Sequence, residues 1–195
     1  MEDLNIQFDP EIDGLSAKII GGVFPAHIVG WEEGSEWNNS TPCNVVYRIA
    51  PEAADAVGRD LDTGEEAKGL GMVGQDVKSS AIWLCPKPPK GEGWRNRGYV
   101  EFADSVGIKF PEVEDKTTGK TTLSLQKLEK LDVLGLPVMI QIGHQVHKED
   151  KEKPVVDQRK YPRAFKTFAW EEGERLDIDE LLIKDEEELD PFAGV

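Results

Sequence analysis

Five short segments in which apolar and polar residues alternate constrain the fold of this chain more than any other feature of its sequence. Alternation with a period of two, together with β-branched residues, indicates strands that bury one face. The five predicted strands are 19–32, 43–50, 76–85, 137–147 and 162–170. The first contains Gly21-Gly22 and Pro25, which predict a bent or bulged strand of the kind found where a barrel turns a corner.

Helical patterns fall between the third and fourth predicted strands. Residues 99–106 end at Gly107, and residues 123–134 carry regularly spaced leucines before Gly135 and Pro137. Both endings are typical stop signals of helices. The element order β-β-β-α-β-β matches a five-stranded OB-type barrel, and other small β-barrels and β-sandwiches are the alternatives. We therefore expect a mainly β fold with this barrel, one or two helices between strands three and four, and a disordered acidic tail.

Composition divides the chain into three parts. They are an N-terminal arm (1–18), the barrel domain (19–170) and an acidic C-terminal tail (171–195). The tail holds 11 acids and 2 bases, and a charge density of this kind favours disorder. The remaining intervals, 33–42, 51–74, 86–98 and 148–161, are predicted to be long polar loops.

Charge is distributed unevenly along the chain. With 38 Asp and Glu against 23 Lys and Arg, the net charge is −15, which argues against a general nucleic-acid coat. Two basic islands nevertheless lie inside the acidic chain, residues 78–97 with a net charge of +4 and residues 143–170 with a net charge of +3. The distribution therefore keeps local binding of an anionic partner open.

The compartment follows from the cysteines and the N-terminal segment. Two cysteines in 195 residues exclude a disulfide-rich secreted scaffold. The first ten residues carry acids where a signal peptide needs bases, and no apolar segment approaches the roughly 18 residues that span a bilayer. We expect a cytoplasmic protein with no membrane partner, in the host cytoplasm if the chain is phage-encoded.

Patterns for catalysis or cofactor binding are weak. Residues 69–74 fit G-x-G-x-x-G, but a dinucleotide site requires a helix after the motif, and a predicted strand follows here. The possible zinc donors lack paired C-x-x-C spacing, and the two histidines face opposite sides of a regular strand. These donors are Cys43, Cys85, His144 and His147. We expect a protein that is not an enzyme and that holds neither metal nor cofactor.

Basic residues are interleaved with aromatic ones in both islands. Single strands bind where bases stack on aromatic rings and cations follow the phosphates, although solvated loops are an alternative interpretation. Trp94 lies in a loop rich in Gly, Pro and Lys, whereas Trp83 lies in an apolar segment and is interpreted as core. The predicted nucleic-acid-binding residues are Lys87, Lys90, Trp94, Arg95, Arg97, Tyr99, Lys148, Lys151, Lys153, Arg159, Lys160, Tyr161, Arg163 and Lys166.

The acidic tail ends close to an aromatic residue. One interpretation is a solvated, solubilising tail. The other is a docking peptide whose Phe192 fills a pocket on a partner while its acids meet a basic rim. The predicted partner-binding residues are Asp185, Glu186, Glu187, Glu188, Asp190 and Phe192.

Together these parts resemble bacterial and phage single-stranded-DNA-binding proteins. The resemblance rests on the OB-type order, the basic and aromatic loops, and residues 185–192, DEEELDPF. The bacterial proteins end in an acidic run followed by Asp-Ile-Pro-Phe, whereas here residues 193–195 follow the Phe. The segments SVGIKF and LDVLGLPVMIQI are also similar to small proteins of phage replication clusters.

The resemblance implies a non-catalytic protein that binds single-stranded DNA in support of phage DNA replication or recombination. It implies that the tail covers the DNA groove in the free protein and is displaced by DNA. The exposed tail would then recruit replication or recombination proteins, and a homo-oligomer fits the same picture. Two alternatives remain: a β-rich structural or decoration protein of the virion, and an acidic mimic of DNA that binds basic proteins.

Overall fold

The computed structural model describes residues 19–88, 91–115, 119–179 and 181–182. Strands dominate these residues, and the rest includes two short helices, helical residues at 178–179 and 181–182, and several short 3-10 turns. The strands are β1 (Ile20–Glu33), β2 (Thr41–Ile49), β3 (Val57–Asp60), β4 (Glu66–Lys68), β5 (Asp76–Ser79), β6 (Ile82–Leu84), β7 (Glu112–Asp115), β8 (Lys120–Leu123), β9 (Pro137–Val146) and β10 (Lys160–Ala169). The helices are α1 (Arg97–Ser105) and α2 (Lys130–Val133).

Five of these strands close into a barrel. β1 pairs with β2 and β9, β2 pairs with β5, and β9 pairs with β10, all antiparallel. β10 then pairs with β5 in parallel, which completes the circle. Because both helices lie between β5 and β9 in the chain, the order is that of an OB-type barrel, and the predicted fold is confirmed.

The core fills the inside of this barrel and the space under α1. Phe24, Tyr47 and Ile140 are fully buried, and the inward residues of β2 alternate with outward ones as a half-buried strand requires. The rings of Trp31 and Phe102 lie 5.6 Å apart and join α1 to β1. Each large side chain buried in this way contributes about 1.5–3 kcal/mol.

Strand β1 is long enough to pair with three other strands. Ile20 and Gly21 pair with β3, the middle of β1 pairs with β9, and the second half pairs with β2. The register against β2 shifts between Ile28 and Gly30. The predicted bulge is therefore present, but it lies further along the strand than Gly21-Gly22.

The predicted helix over 123–134 is mostly wrong. Residues 120–123 form β8, and α2 begins only at Lys130, after a capping box between Glu129 and Asp132. The intervening segment is not helical because its backbone bonds go elsewhere. Leu128 N–H donates to the hydroxyl of Tyr99 (2.6 Å), which in turn donates to the carbonyl of Gln126 (3.0 Å). Within the described residues, no helix is long and apolar enough to cross a membrane.

The interval 51–74, predicted to be a polar loop, contains a small hairpin. β3 pairs with both β4 and β1, so the hairpin extends the barrel sheet beyond one edge of β1. The 3-10 turn Gly69–Met72 then folds under it and buries Met72. Gly69 N–H donates to the carbonyl of Ala56 (2.8 Å), and the carbonyl oxygen of Ala53 and the ring of Phe24 leave no room for a side chain at this position.

The first part of the predicted tail packs against the barrel. His27 Nε2 donates to the carbonyl of Glu174 (3.0 Å), and Leu176 N–H donates to the carbonyl of Gly135 (2.9 Å). The guanidinium of Arg175 donates to the carbonyls that end α2, and Leu181 is 9% exposed. The body therefore extends to Leu182, and residues 183–195 lie outside the described residues.

Two glycines of the same 3-10 turn give a test of this packing. A Cβ at Gly69 would lie 2.3 Å from the carbonyl oxygen of Ala53 and 2.9 Å from the ring of Phe24, whereas a Cβ at Gly71 would approach nothing closer than 3.8 Å. We expect Gly69→Ala to lower the free energy of unfolding by about 1–3 kcal/mol, and Gly71→Ala to leave it nearly unchanged. Urea unfolding measures both, and equal stabilities would contradict this account.

Candidate nucleic-acid interface

The outer face of β2, β5 and β10 aligns cations from neighbouring strands. Val77 on β5 and Ala164 on β10 are buried, so the residues beside them point outward. Lys78 lies opposite Val46 on one side and opposite Arg163 on the other. Lys78 and Arg163 are thus adjacent on the face that OB-type barrels use for oligonucleotides.

Acidic residues partly neutralise this face. The ammonium group of Lys78 lies 2.8 Å from a carboxylate oxygen of Glu32, and Arg48 makes two hydrogen bonds of 2.7 and 2.8 Å with Asp76. All four side chains are about 40–50% exposed, and ion pairs of this kind contribute roughly 0–1 kcal/mol. A phosphate can therefore replace either carboxylate at small cost.

Arg163 differs from these paired cations. Its Nε is buried and has no hydrogen-bond partner in the described part of the chain. Such an unpaired donor costs free energy until a ligand or a water satisfies it. Arg163 is therefore the cation on this face with the most to gain from an anionic ligand.

Aromatic residues of β10 lie beside these cations. The register of β10 against β9 shifts between Ala164 and Lys166, and this bulge exposes Phe165 by 51%. Its ring lies over Gly143 of β9, where a Cβ would come within 2.8 Å of it. Tyr161 lies two residues before Arg163, on the same face of the strand, and is half-buried. Both rings are placed where an unstacked base could contact them.

A crevice opens where β5 and β10 separate. The two strands pair at only two positions, and β6 then continues antiparallel along β2 while β10 contacts α1. The space between them measures about 490 Å³, and Trp83, Phe165, Lys166, Phe168 and Arg95 line it. At its inner end, the hydroxyls of Tyr47 and Thr167 share a hydrogen bond of 2.9 Å.

The loop between β9 and β10 is organised by one buried carboxylate. Asp150 is fully buried, and it accepts hydrogen bonds from the guanidinium of Arg159 (2.6 Å) and from its backbone N–H (3.1 Å). Lys153 lies 2.7 Å from the other carboxylate oxygen. Hydrogen bonds from Arg159 first, and then from Lys153, hold the pKa of this carboxyl well below its usual range. Arg159 and Lys153 therefore shape the loop.

Several predicted contact residues are engaged elsewhere. Arg97 pairs with Glu101 (2.6 Å), Arg95 pairs with Glu92, and Lys160 pairs with Asp62 (2.9 Å). Tyr99 has no exposed surface, and burial raises the pKa of its hydroxyl to about 12. Its ring therefore offers no face to a base.

Other predicted residues are exposed. Lys87, Lys148 and Lys151 form no ion pair within the described residues, and Trp94 is 69% exposed in the 3-10 turn before α1. Of the predicted set, the structure brings Tyr161, Arg163, Lys166 and Arg95 to the outer face or the crevice. Lys90 and the predicted tail residues 185–192 lie outside the described residues.

The set of binding residues predicted from the sequence omits five residues of this surface. They are Arg48, Lys78, Trp83, Phe165 and Phe168. The alternation of inward and outward side chains along a strand is enough to predict that two of them point outward. Lys78 neighbours the buried Val77, and Trp83 lies between Ile82 and the buried Leu84. Trp83 was interpreted as core, but it is 36% exposed. The exposure of Phe165 depends on a bulge that the sequence does not mark.

The described residues contain no group of three or more His, Cys, Asp or Glu side chains that could hold a metal ion. Cys43 and Cys85 are buried free thiols, and burial raises the pKa of Cys43 to about 11.

Comparison of the chain with protein-family models, with curated proteins and with solved structures finds no match. The functional argument therefore rests on the geometry of the face and the crevice.

Replacing Asp150 tests whether it organises the β9–β10 loop. Because its pKa is lowered in the folded protein, its stabilisation is fully present above the unfolded pKa of about 3.9 and is lost as the pH falls below it. We expect Asp150→Asn to lower the thermal midpoint by several degrees at neutral pH, and the difference from wild type to shrink in acid. Asp157→Asn, an exposed change in the same loop, is the control. A difference that is independent of pH would contradict the assignment.

Proposed function

We propose that this protein binds single-stranded DNA on the outer face of β2, β5 and β10 and does so without catalysis. The observation that carries the proposal is the adjacency of Lys78 and Arg163 beside the exposed ring of Phe165. Cations spaced across strands can follow a phosphate backbone, and an exposed ring accepts a base at any sequence. The OB-type barrel supports the same conclusion, because this face is its usual surface for oligonucleotides.

Binding exchanges protein carboxylates for phosphates. Glu32 and Asp76 hold Lys78 and Arg48 in outward positions while no nucleic acid is present. A phosphate displaces the exposed carboxylates, and the guanidinium of Arg163, which is partly exposed, gains an anionic partner. Stacking on Phe165 and Tyr161 adds about 1–3 kcal/mol for each base, so a short strand suffices for useful affinity.

The acidic residues after Leu182 compete with DNA for this face. Leu181 lines the same surface depression as Arg48, Asp76 and Lys78, so the acidic segment leaves the body beside these cations. DNA displaces the segment, which then recruits replication or recombination proteins, as the resemblance to phage single-stranded-DNA-binding proteins implies. This role accounts for an acidic chain with a net charge of −15 that nevertheless binds a polyanion.

Substitution of the two adjacent cations tests the face. We expect Lys78→Ala and Arg163→Ala each to weaken binding of a labelled oligothymidylate, and each to reduce the slope of log affinity against log salt by about 0.7, because each removes about one phosphate contact. Fluorescence anisotropy across a salt series measures both quantities.

The matched controls are Lys68→Ala and Lys109→Ala, which remove the same charge from exposed ion pairs away from the face. They should leave the salt slope unchanged. An equal effect of all four substitutions would indicate non-specific attraction. No binding by the folded wild type at low salt would reject the proposal and favour a structural protein of the virion.

Removal of the acidic segment tests the competition. We expect a chain that ends at Leu182 to bind the same oligothymidylate more tightly than the full chain, with the largest difference at low salt, where screening is weakest. The cut follows Leu182 because residues 171–179 pack against the barrel and α2. Replacing the acids of 185–190 by Asn and Gln controls for length and should reproduce the effect. Unchanged affinity of both forms would contradict competition.

A further inference from the structure

We infer that the crevice between β6, β10 and α1 takes one base, unstacked from the strand on the outer face, and prefers guanine. The inference rests on the proposed function, because the base must belong to a bound strand. It adds a sequence preference at one position to a face that otherwise follows the backbone without regard to sequence.

The crevice is continuous with the outer face. Phe165 and Lys166 line the crevice, and they immediately follow Arg163 and Ala164, the residues that pair with β5. A strand that stacks one base on Phe165 therefore has its next base at the mouth of the crevice. Its volume of about 490 Å³ lies within the usual range for a small-molecule site, and a single base with a few waters fits it.

Two half-exposed rings line this space. Trp83 is 36% exposed beside the buried Leu84, and Phe168 is 43% exposed near the end of β10. The ring of Trp83 lies 6.3 Å from that of Trp37 at an interplanar angle of 65°, so the two indoles are not stacked on each other. A base between β6 and β10 would cover apolar surface that is otherwise open to solvent.

The charged groups in the crevice select among bases. The guanidinium-bearing side chain of Arg95 lines the crevice and is 25% exposed, and one of its terminal nitrogens pairs with Glu92. The ammonium of Lys166 is exposed at the same crevice. Both groups donate hydrogen bonds and accept none. Guanine presents two adjacent acceptors, O6 and N7, whereas adenine presents an amine beside N7. Guanine is therefore the base that best matches these donors.

The hydroxyl groups at the inner end of the crevice already have hydrogen-bond partners. Tyr47 and Thr167 share their hydroxyl hydrogen bond, and burial raises the pKa of the Tyr47 hydroxyl above its usual range. The Tyr47 hydroxyl therefore stays neutral and brings no negative charge near a base. Selection rests on Arg95 and Lys166, with stacking from Trp83 and Phe168.

The experiment compares oligothymidylates of about a dozen nucleotides that carry a single central dG, dA or abasic site. The full-length wild-type protein is titrated by fluorescence anisotropy. We expect the strand with dG to bind about tenfold more tightly than the strand with dT at that position, because one bidentate contact discriminates by about 1–3 kcal/mol. The strand with dA should bind like the strand with dT, and the abasic strand should bind most weakly.

Single substitutions distinguish the contribution of the crevice to binding from that of the outer face. Trp83→Ala and Phe168→Ala should each abolish the preference for dG, and Arg95→Gln should reduce it while leaving the binding of the dT strand nearly unchanged. Tyr161→Ala is the matched control on the outer face, because Tyr161 does not line the crevice: it should weaken every strand alike and preserve the preference. Two aromatic variants are used so that the loss of fold in one leaves the other informative, and thermal unfolding verifies each.

Two results would overturn the inference and leave the proposed function standing. One is equal affinity of the wild type for the dG, dA and dT strands. The other is a preference for dG that survives both Trp83→Ala and Phe168→Ala in folded protein. Failure of the wild type to bind any strand would reject the proposed function, and the inference with it.

Discussion

The barrel closes through a parallel seam of two residue pairs, Arg163 with Lys78 and Ala164 with Ser79. One further backbone bond, from Ser80 N–H to the carbonyl of Ala164 (2.9 Å), extends it. The candidate site depends on this short seam. It places two cations side by side on the outer face, and because it ends early, it leaves the space between β6 and β10 open. A longer seam would give a more complete barrel and no crevice.

Electrostatics limit how an acidic protein can bind a polyanion. Two cations of the outer face, Arg48 and Lys78, are held by exposed carboxylates, which reduces the net positive charge that the free protein presents there. Exposed ion pairs are weak, and they keep long side chains extended without fixing them. The same arrangement lowers non-specific attraction, because a ligand must bring closely spaced phosphates to displace several carboxylates at once.

The strand pattern of the sequence was sufficient to predict the barrel, because burial of one strand face leaves a period of two that survives in a single sequence. It failed for residues 123–134, where a hydroxyl from a distant helix takes the backbone bond that a local helix would have used. It also failed for Trp83, whose partners in space lie far away in the chain. The sequence does not reveal long-range ion pairs either. Lys160 and Asp62 are 98 residues apart, and no local pattern predicts that they pair.

The position of Leu181 also sets an upper bound on distance. Phe192 comes ten positions after Leu182, so the aromatic residue lies within about 35 Å of Leu182. A group held in so small a volume has an effective concentration on the order of millimolar. Under the proposed function, competition between the acidic segment and DNA is intramolecular and does not weaken when the protein is diluted. In this proposal, the length of the chain fixes the local concentration at which the acidic segment competes with DNA.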